Sequence, residues 1–220
     1  MSILDELKNK ESWLDFYHYK KDRNQLRKDE LQKLEDFIMK EKYLSFNDTF
    51  SYPVKKILSK IGSSKKRIVY SYNEDETWML KLLAFLLYRY DDRLSDNCYS
   101  FRRYKTAKTA FDQIRKITDL QQKHILKLDI HDYFNSIDVP ILLEILKDVI
   151  EDDPKLFPFL KQLLNQDRCF FNEELITEKR GAMAGVPLAS FFANFYLSDL
   201  DAFFASRKIP YFRYSDDILL

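Results

Sequence analysis

The stretch from Pro210 to Leu220, PYFRYSDDILL, constrains this chain most. The apolar residues Ile209, Tyr211, Phe212 and Tyr214 lead into adjacent carboxylates, Asp216 and Asp217, and Ile218-Leu219-Leu220 follows at once. Short runs rich in aromatic and branched residues favour strands, and Ser-Asp-Asp between them has turn chemistry. The stretch predicts a β-hairpin with two acids at its tip. Neighbouring strand residues point to opposite faces, so one Asp can face a ligand while the other sits beside the bend. A hard divalent cation takes several oxygen ligands, more than one hairpin supplies. A further carboxylate at a strand end is therefore expected, and HILKLDI, His124 to Ile130, offers Asp129.

Composition excludes several other chemistries. The chain has three glycines, too few for a Gly-rich phosphate loop of the dinucleotide or P-loop kind. Gly181 and Gly185 share one loop, RGAMAGVP, which marks a backbone that approaches something closely. Cys98 and Cys169 are too few for a disulfide framework or a zinc site. A net charge of +1 means that any nucleic-acid surface must come from local clustering. The start, MSILDELKNKES, lacks a signal-peptide core. The longest apolar run, Trp78 to Tyr88, is interrupted by Lys81 and is too short to span a bilayer. These features predict a reduced, cytoplasmic protein with no membrane partner.

Read in order, residues 2 to about 44 carry apolar residues at helical spacing, broken near Asp22 to Asn24, and predict two helices. They form either an amphipathic prefix packed on the main domain or a partner-binding arm. Ser51-Tyr52-Pro53 predicts a helix start, with that helix ending near Gly62. Ile68-Val69-Tyr70 reads as a strand, and Asn73 to Glu76 cap a helix from Thr77 to Tyr90. In CYSFRRYKTAKTAFDQI the basic residues Arg102, Arg103, Lys105 and Lys108 alternate with Tyr99, Phe101 and Tyr104. Such interleaving suits phosphate pairing and base stacking, and equally suits a solvated basic helix face. HDYFNSID predicts a tight turn with a half-helix, Asp138 and Pro140 start a helix to Ile150, and Pro154 opens another to about Asn165. Arg168 to Thr177 suggests a hairpin, and Leu188 to about Ser206 one helix with a single apolar stripe. With no repeats and no low-complexity linker, the expected fold is one α+β unit.

A lone Asp-Asp in a turn is more often a surface cap. Here Asp129, a close-approach loop opening a helix, and the Asp216-Asp217 hairpin occur in an order that suits carboxylates holding two Mg²⁺ ions. The ordered set resembles the reverse transcriptases, specifically the prokaryotic ones. LDIHDYF (Leu128 to Phe134), AGVPLASFFANFYL (Ala184 to Leu197) and YSDD (Tyr214 to Asp217) resemble the three catalytic palm motifs. KKRIVY and CYSFRRYKTA resemble the upstream fingers motifs. The resemblance implies a right-hand polymerase: a helical N-terminal extension over 1–50, fingers over 51–122 and a palm over 123–220. It further implies an RNA-directed DNA polymerase that uses two Mg²⁺ ions, with Mn²⁺ as a substitute, and takes deoxynucleoside triphosphates. Its other partner is an RNA template, a dedicated non-coding RNA among the candidates, and oligomerisation stays open.

By the resemblance, Asp129, Asp216 and Asp217 are the catalytic and metal-binding triad, with the Ile130 carbonyl as an extra ligand. Arg67 and Lys65 would clamp the incoming triphosphate, and the backbone of Asp132 and Tyr133, with Gly185 nearby, would line the nucleotide site. Phe134, five residues after Asp129, stands at the family's sugar gate, where a bulky ring excludes a 2′ hydroxyl. Arg102, Arg103, Lys105 and Lys108 would contact RNA. Two departures mark the chain: Ala184 stands where relatives commonly carry Gln, and Ala189-Ser190 replaces Ser-Pro. They imply a divergent branch of abortive-infection or other defence-associated type, related to the retron and group II intron enzymes, which usually keep the Gln; a retron or group II intron type is the alternative. The sequence stops three residues after the YxDD box, so the expected thumb is absent, and this stretch alone is expected to be inactive. A catalytically inactive, polymerase-like RNA-binding scaffold is the competing reading. An RNA-dependent RNA polymerase is a third, disfavoured by Phe134.

Overall fold

The computed structural model describes residues 1–59, 66–179, 181–207 and 209–220. Its mixed α/β fold begins with α1 (Ile3–Glu6), α2 (Lys10–Asp22) and α3 (Lys28–Met39). The Trp13 indole is fully buried, donates to the Leu7 carbonyl at 2.9 Å and lies beside Phe37 and Tyr43. Phe16 continues this cluster onto Phe85 of α4 (Glu74–Leu86). Ser2 Oγ and the Ile3 N–H both donate to the buried Asp153 carboxylate at 2.7 Å, which ties the chain start to the distant loop after α7 (Val139–Val149). The opening helices therefore share the main hydrophobic core. The predicted helix from Thr77 begins earlier, because Asn73 accepts from the Glu76 N–H at 2.8 Å, and it tightens to a 3₁₀ turn over Leu87–Arg93.

The helix expected after Pro53 is a strand. Residues after Pro53 form a strand, β1 (Val54–Ser59), and no helix is present there. Each of its six residues pairs antiparallel with β2 (Lys66–Ser71). The apolar spacing at Ile57 and Leu58 has no helix to pack on, both side chains being exposed, so cross-strand pairing overrides it. The end of the helix predicted near Gly62 lies outside the described residues. The hairpin β4 (Arg168–Phe171) and β5 (Glu174–Thr177) joins this sheet through Val54 and Phe170, giving the order β2-β1-β4-β5. A second sheet, ordered β3-β7-β6, joins β3 (Lys127–Asp129), β6 (Phe212–Tyr214) and β7 (Asp217–Leu219), all antiparallel. The chain also forms α5 (Ala107–Ile114), the half-helix α6 (Tyr133–Ser136) and α8 (Leu156–Leu164).

The helix expected from Leu188 to Ser206 is two helices, α9 (Ala189–Tyr196) and α10 (Ser198–Ser206), because Leu197 leaves helical geometry at φ −103°. The break sets Asp201 of α10 against Arg213 of β6, both fully buried. Arg213 donates to Asp201 through Nε (2.8 Å) and Nη2 (2.6 Å), and the Tyr211 hydroxyl donates to the same carboxylate at 2.8 Å. Burial works against the charge on Arg213, yet its hydrogen bonds to Asp201 hold its pKa above the usual arginine value. Arg213 Nη2 also reaches the Asn194 carbonyl of α9 at 3.0 Å, so one guanidinium joins β6, α9 and α10. Among the described residues no helix is long and apolar enough to cross a membrane.

Removing one partner of a buried ion pair leaves the other charge uncompensated and costs about 3–5 kcal/mol. Asp201→Ala is therefore expected to lose stability on that scale in urea denaturation. Combining it with Arg213→Met should recover a large part of the loss. A double variant as unstable as the sum of the singles would refute the coupling.

Candidate active site

Antiparallel pairing of β3 with β7 sets Asp129 directly opposite Asp217. Directly opposed residues share one sheet face with Cβ atoms about 4.5–5.5 Å apart. Asp216 occupies the two-residue loop between β6 and β7 with Ser215, whose φ of 62° is the left-handed conformation that the first position of a tight hairpin turn requires. A serine hydroxyl steadies that strained loop. The Ser215 N–H donates to Ser100 Oγ at 2.8 Å, and Ser100 exchanges two hydrogen bonds with Asn194 of α9. The Ile130 N–H donates to the Asp216 carbonyl at 3.3 Å, closing β3 onto the loop. The three acids are thus held by backbone register and by the buried Arg213–Asp201 pair beneath them.

Their field is already attracting a cation. Lys127 Nζ lies 2.9 Å from Asp217 Oδ1, and its pKa is raised, chiefly by that hydrogen bond and the Asp217 charge, with further contributions from Asp129 and Asp216. Three carboxylates acting on one cation, with oxygen as the only donor type, suit a hard divalent ion. Among the described residues, no three His, Cys, Asp or Glu side chains stand close enough together to form a finished metal cage. The donor chemistry of the three acids fits such an ion.

Beside the acids is a cleft of ≈ 560 Å³ whose walls include Arg67, Asp132, Tyr133, Phe134, Ala184 and Asp216. The sequence singled out five of these as site residues and noted Ala184 for its departure from the family motif. Arg67 comes from β2 and is exposed. Lys65 lies outside the described residues. Asp132 adopts φ 48° and starts α6, which turns the Tyr133 side chain into the core, where its hydroxyl donates to the Ala193 carbonyl at 2.5 Å. Burial pushes that phenol's pKa up. Only the backbone of Tyr133 is left to face a ligand. Phe134 remains half-buried, its ring 5.6 Å from that of Tyr133 and 6.4 Å from that of Phe101. Gly185, at φ +95°, lies against β2, where a Cβ would come within 3.0 Å of the Tyr70 carbonyl oxygen.

Sequence reasoning missed Asn135. Its Nδ2 donates to the Ile68 carbonyl (3.3 Å) and to Asp132 Oδ1 (3.1 Å), and its Oδ1 accepts from the Ala184 N–H (3.2 Å). One amide therefore clips together β2, the α6 turn and the glycine loop. The Ala184 carbonyl in turn accepts from the Tyr70 N–H at 2.7 Å. A polar residue following an aromatic pair on a half-helix was the available signal.

The basic segment is largely engaged within the protein. Arg102 donates to the carbonyls of Asp91, Ser95 and Cys98. The Arg103 guanidinium lies over the rings of Tyr19, Phe85 and Tyr104. Lys105 pairs with Asp96 at 2.8 Å. Lys108, on α5, is exposed.

The chain matches the family described as reverse transcriptase (RNA-dependent DNA polymerase) over residues 54–220, and it belongs to that family. Solved chains share the fold. One, from a partial Cas6-RT-Cas1-Cas2 complex, has a TM-score of 0.51 and 18% identity, and the match covers 100% of this chain and 38% of that one. Another, from a Cas6-RT-Cas1-Cas2 complex, has the same score and identity, covering 100% of this chain and 24% of that one. At that identity the likeness is one of fold, and this chain spans well under half the length of either. No curated protein sequence matches.

Asn135→Ala removes the acceptor of the Ala184 N–H, and a buried donor left unsatisfied costs about 1–3 kcal/mol. A loss of that size is expected in the free energy of unfolding. An unchanged unfolding midpoint would show that the clip contributes nothing.

Proposed function

We propose that this chain is the fingers and palm of an RNA-directed DNA polymerase, a nucleotidyltransferase that extends a primer with deoxynucleotides. The observation that carries this reading is Asp129 facing Asp217 across adjoining strands, with Asp216 opening into the cleft that also holds Arg67 and Phe134. In this reading residues 51–122 are the fingers, with β4 and β5 extending their sheet. Residues 123–220 are the palm, behind a helical extension over 1–50. Asp129, Asp216, Asp217 and the Ile130 carbonyl hold two divalent ions, Mg²⁺ by oxygen preference and Mn²⁺ as a substitute. When bound, such ions activate the primer 3′ hydroxyl and stabilise the leaving pyrophosphate.

The chain's own residues bind and orient. Arg67, with Lys65 as its proposed companion, pairs with the triphosphate through charge-assisted hydrogen bonds. The backbone of Asp132 and Tyr133 lines those phosphates, and Gly185 keeps the second motif tight against β2. The Phe134 ring fills the space that a 2′ hydroxyl would need. Of the basic segment, exposed Lys108 is the side chain best disposed to meet RNA phosphates, while Arg102, Arg103 and Lys105 shape that surface from within. The departures at Ala184 and Ala189-Ser190 support a divergent, defence-associated branch with an anti-phage role in the bacterial cytoplasm. The fold's likeness to chains from Cas assemblies is in keeping with that. A non-catalytic RNA-binding scaffold remains the second reading, favoured by Ala184 in the cleft wall where relatives commonly carry Gln.

Activity separates the two. In the full-length polypeptide, Asp216→Asn is expected to abolish Mg²⁺-dependent nucleotide incorporation while leaving the fold intact. Full activity in that variant would sink the assignment. Phe134→Ala tests the sugar gate. Overpacking costs about 1–3 kcal/mol, and about 1.4 kcal/mol is tenfold in rate. The variant should therefore raise ribonucleotide use relative to deoxyribonucleotide use by roughly one to two orders of magnitude. The check is the ratio of kcat/KM for a matched nucleotide pair, and a ratio that does not move returns Phe134 to an ordinary packing role.

A further inference from the structure

Away from the acids, a cavity of ≈ 180 Å³ lies among α2, α4 and α9. Its lining residues include Lys20 and Lys81, with Phe85, Tyr88, Phe101 and Phe191. Neither lysine forms an ion pair among the described residues. Lys20 Nζ donates to the neutral Gln25 Oε1 at 2.9 Å, and Lys81 Nζ lies 4.2 Å from the Trp78 ring centroid. Burial lowers the pKa of both; the Lys81 charge lowers that of Lys20 further, while the Glu30 and Glu74 charges act on Lys81 in the opposite sense without overcoming its burial. Two desolvated like charges at one cavity are unfavourable until an anion stands between them. The carboxylate in the wall, Asp91, is already partnered, since its Oδ2 accepts from the Arg103 N–H at 2.7 Å.

The chemistry called for is therefore a small anion attached to a flat, stackable group. Aromatic side chains stack bases without regard to sequence, and paired cations hold a phosphate. The volume falls short of the roughly 300 Å³ at which drug-sized pockets begin, so it encloses part of one unit, with the rest lying at its mouth. Phe101 connects this cavity to the acid site. It adopts the left-handed φ of 52°, and its ring centroid lies 6.4 Å from those of both Phe134 and Tyr214. An occupant pressing on Phe101 presses on the residue that backs the proposed sugar gate and on the hairpin that carries Asp216.

We propose that this cavity binds one nucleotide unit, its phosphate between Lys20 and Lys81 and its base against the aromatic wall, outside the acid site. The proposal rests on the polymerase reading only for the expectation that the unit belongs to an RNA strand rather than to a free mononucleotide.

The test measures binding, in the full-length polypeptide, of a fluorescent single-stranded oligouridylate and separately of adenosine 5′-monophosphate. With a strand as occupant, Lys20→Met/Lys81→Met lowers oligouridylate affinity about tenfold and flattens the log-log salt slope by about 0.7, the value for one phosphate on a single strand. The Arg-for-Lys double variant restores both. With a free unit as occupant, adenosine monophosphate binding falls and the oligouridylate salt slope does not change. Unchanged affinity for both ligands overturns the proposal. Should the Met variants not fold, acetylation of Lys20 and Lys81 in the unaltered protein gives the same answer. Protection by either ligand supports the site, and protection by neither overturns it. Asp216→Asn keeps the two readings apart: if it incorporates nucleotides, the acid-site assignment fails, while the cavity is judged by the lysine variants alone.

Discussion

The structure depends on one buried ion pair. Arg213 lies in the strand that leads into the acidic hairpin, and its guanidinium is committed to Asp201 through two donors and to the Asn194 carbonyl through Nη2. The backbone on either side of it is fixed as well: the Arg213 N–H donates to the Asn97 carbonyl and its carbonyl accepts from the Tyr99 N–H, each at 2.9 Å. A buried pair of this kind adds little net stability over apolar packing of the same volume. What it contributes here is position. The turn that carries Asp216 starts two residues later, so any slip at Arg213 moves the acids with it. The same network steadies Ser215 through Ser100 and Asn194, which keeps a non-glycine residue in a left-handed turn.

A second fixed point holds the opposite wall of the cleft. Asn135 and the Ala184 backbone bind the glycine loop to β2 and to the α6 turn, the elements that carry Arg67 and Phe134. The acids face solvent with Lys127 as their present counter-charge, while the residues that orient them are buried. The scaffold beneath them is buried, and among the described residues its Arg213 Nη1 has no hydrogen-bond partner.

Much of this was legible in the sequence because it depends on local chemistry. The hairpin at Phe212–Leu219 follows from aromatic and branched runs around a Ser-Asp turn, and the α6 half-helix from a short polar turn. The caps at Asn73 and Asp138 follow from side chains that can accept from their own helices. What failed was set by distant partners. β1 has a proline at its start and apolar residues at helix-compatible spacing, and only β2 and β4 make it a strand. The break at Leu197 has no local signal, because its purpose is to bring Asp201 to Arg213. For the same reason Arg102 and Arg103 read as free cations in sequence, although carbonyls and aromatic rings far along the chain engage them.

The central claim is that Asp129, Asp216 and Asp217 together hold a divalent cation. Fe²⁺ replacing Mg²⁺ at such a site generates hydroxyl radicals that cut the nearby backbone, and the fragments report the site directly. The account predicts two clusters of cuts, one around Leu128 to Ile130 and one around Ser215 to Ile218, both suppressed by excess Mg²⁺. Cuts confined to one cluster, cuts elsewhere, or cleavage insensitive to Mg²⁺ would contradict it.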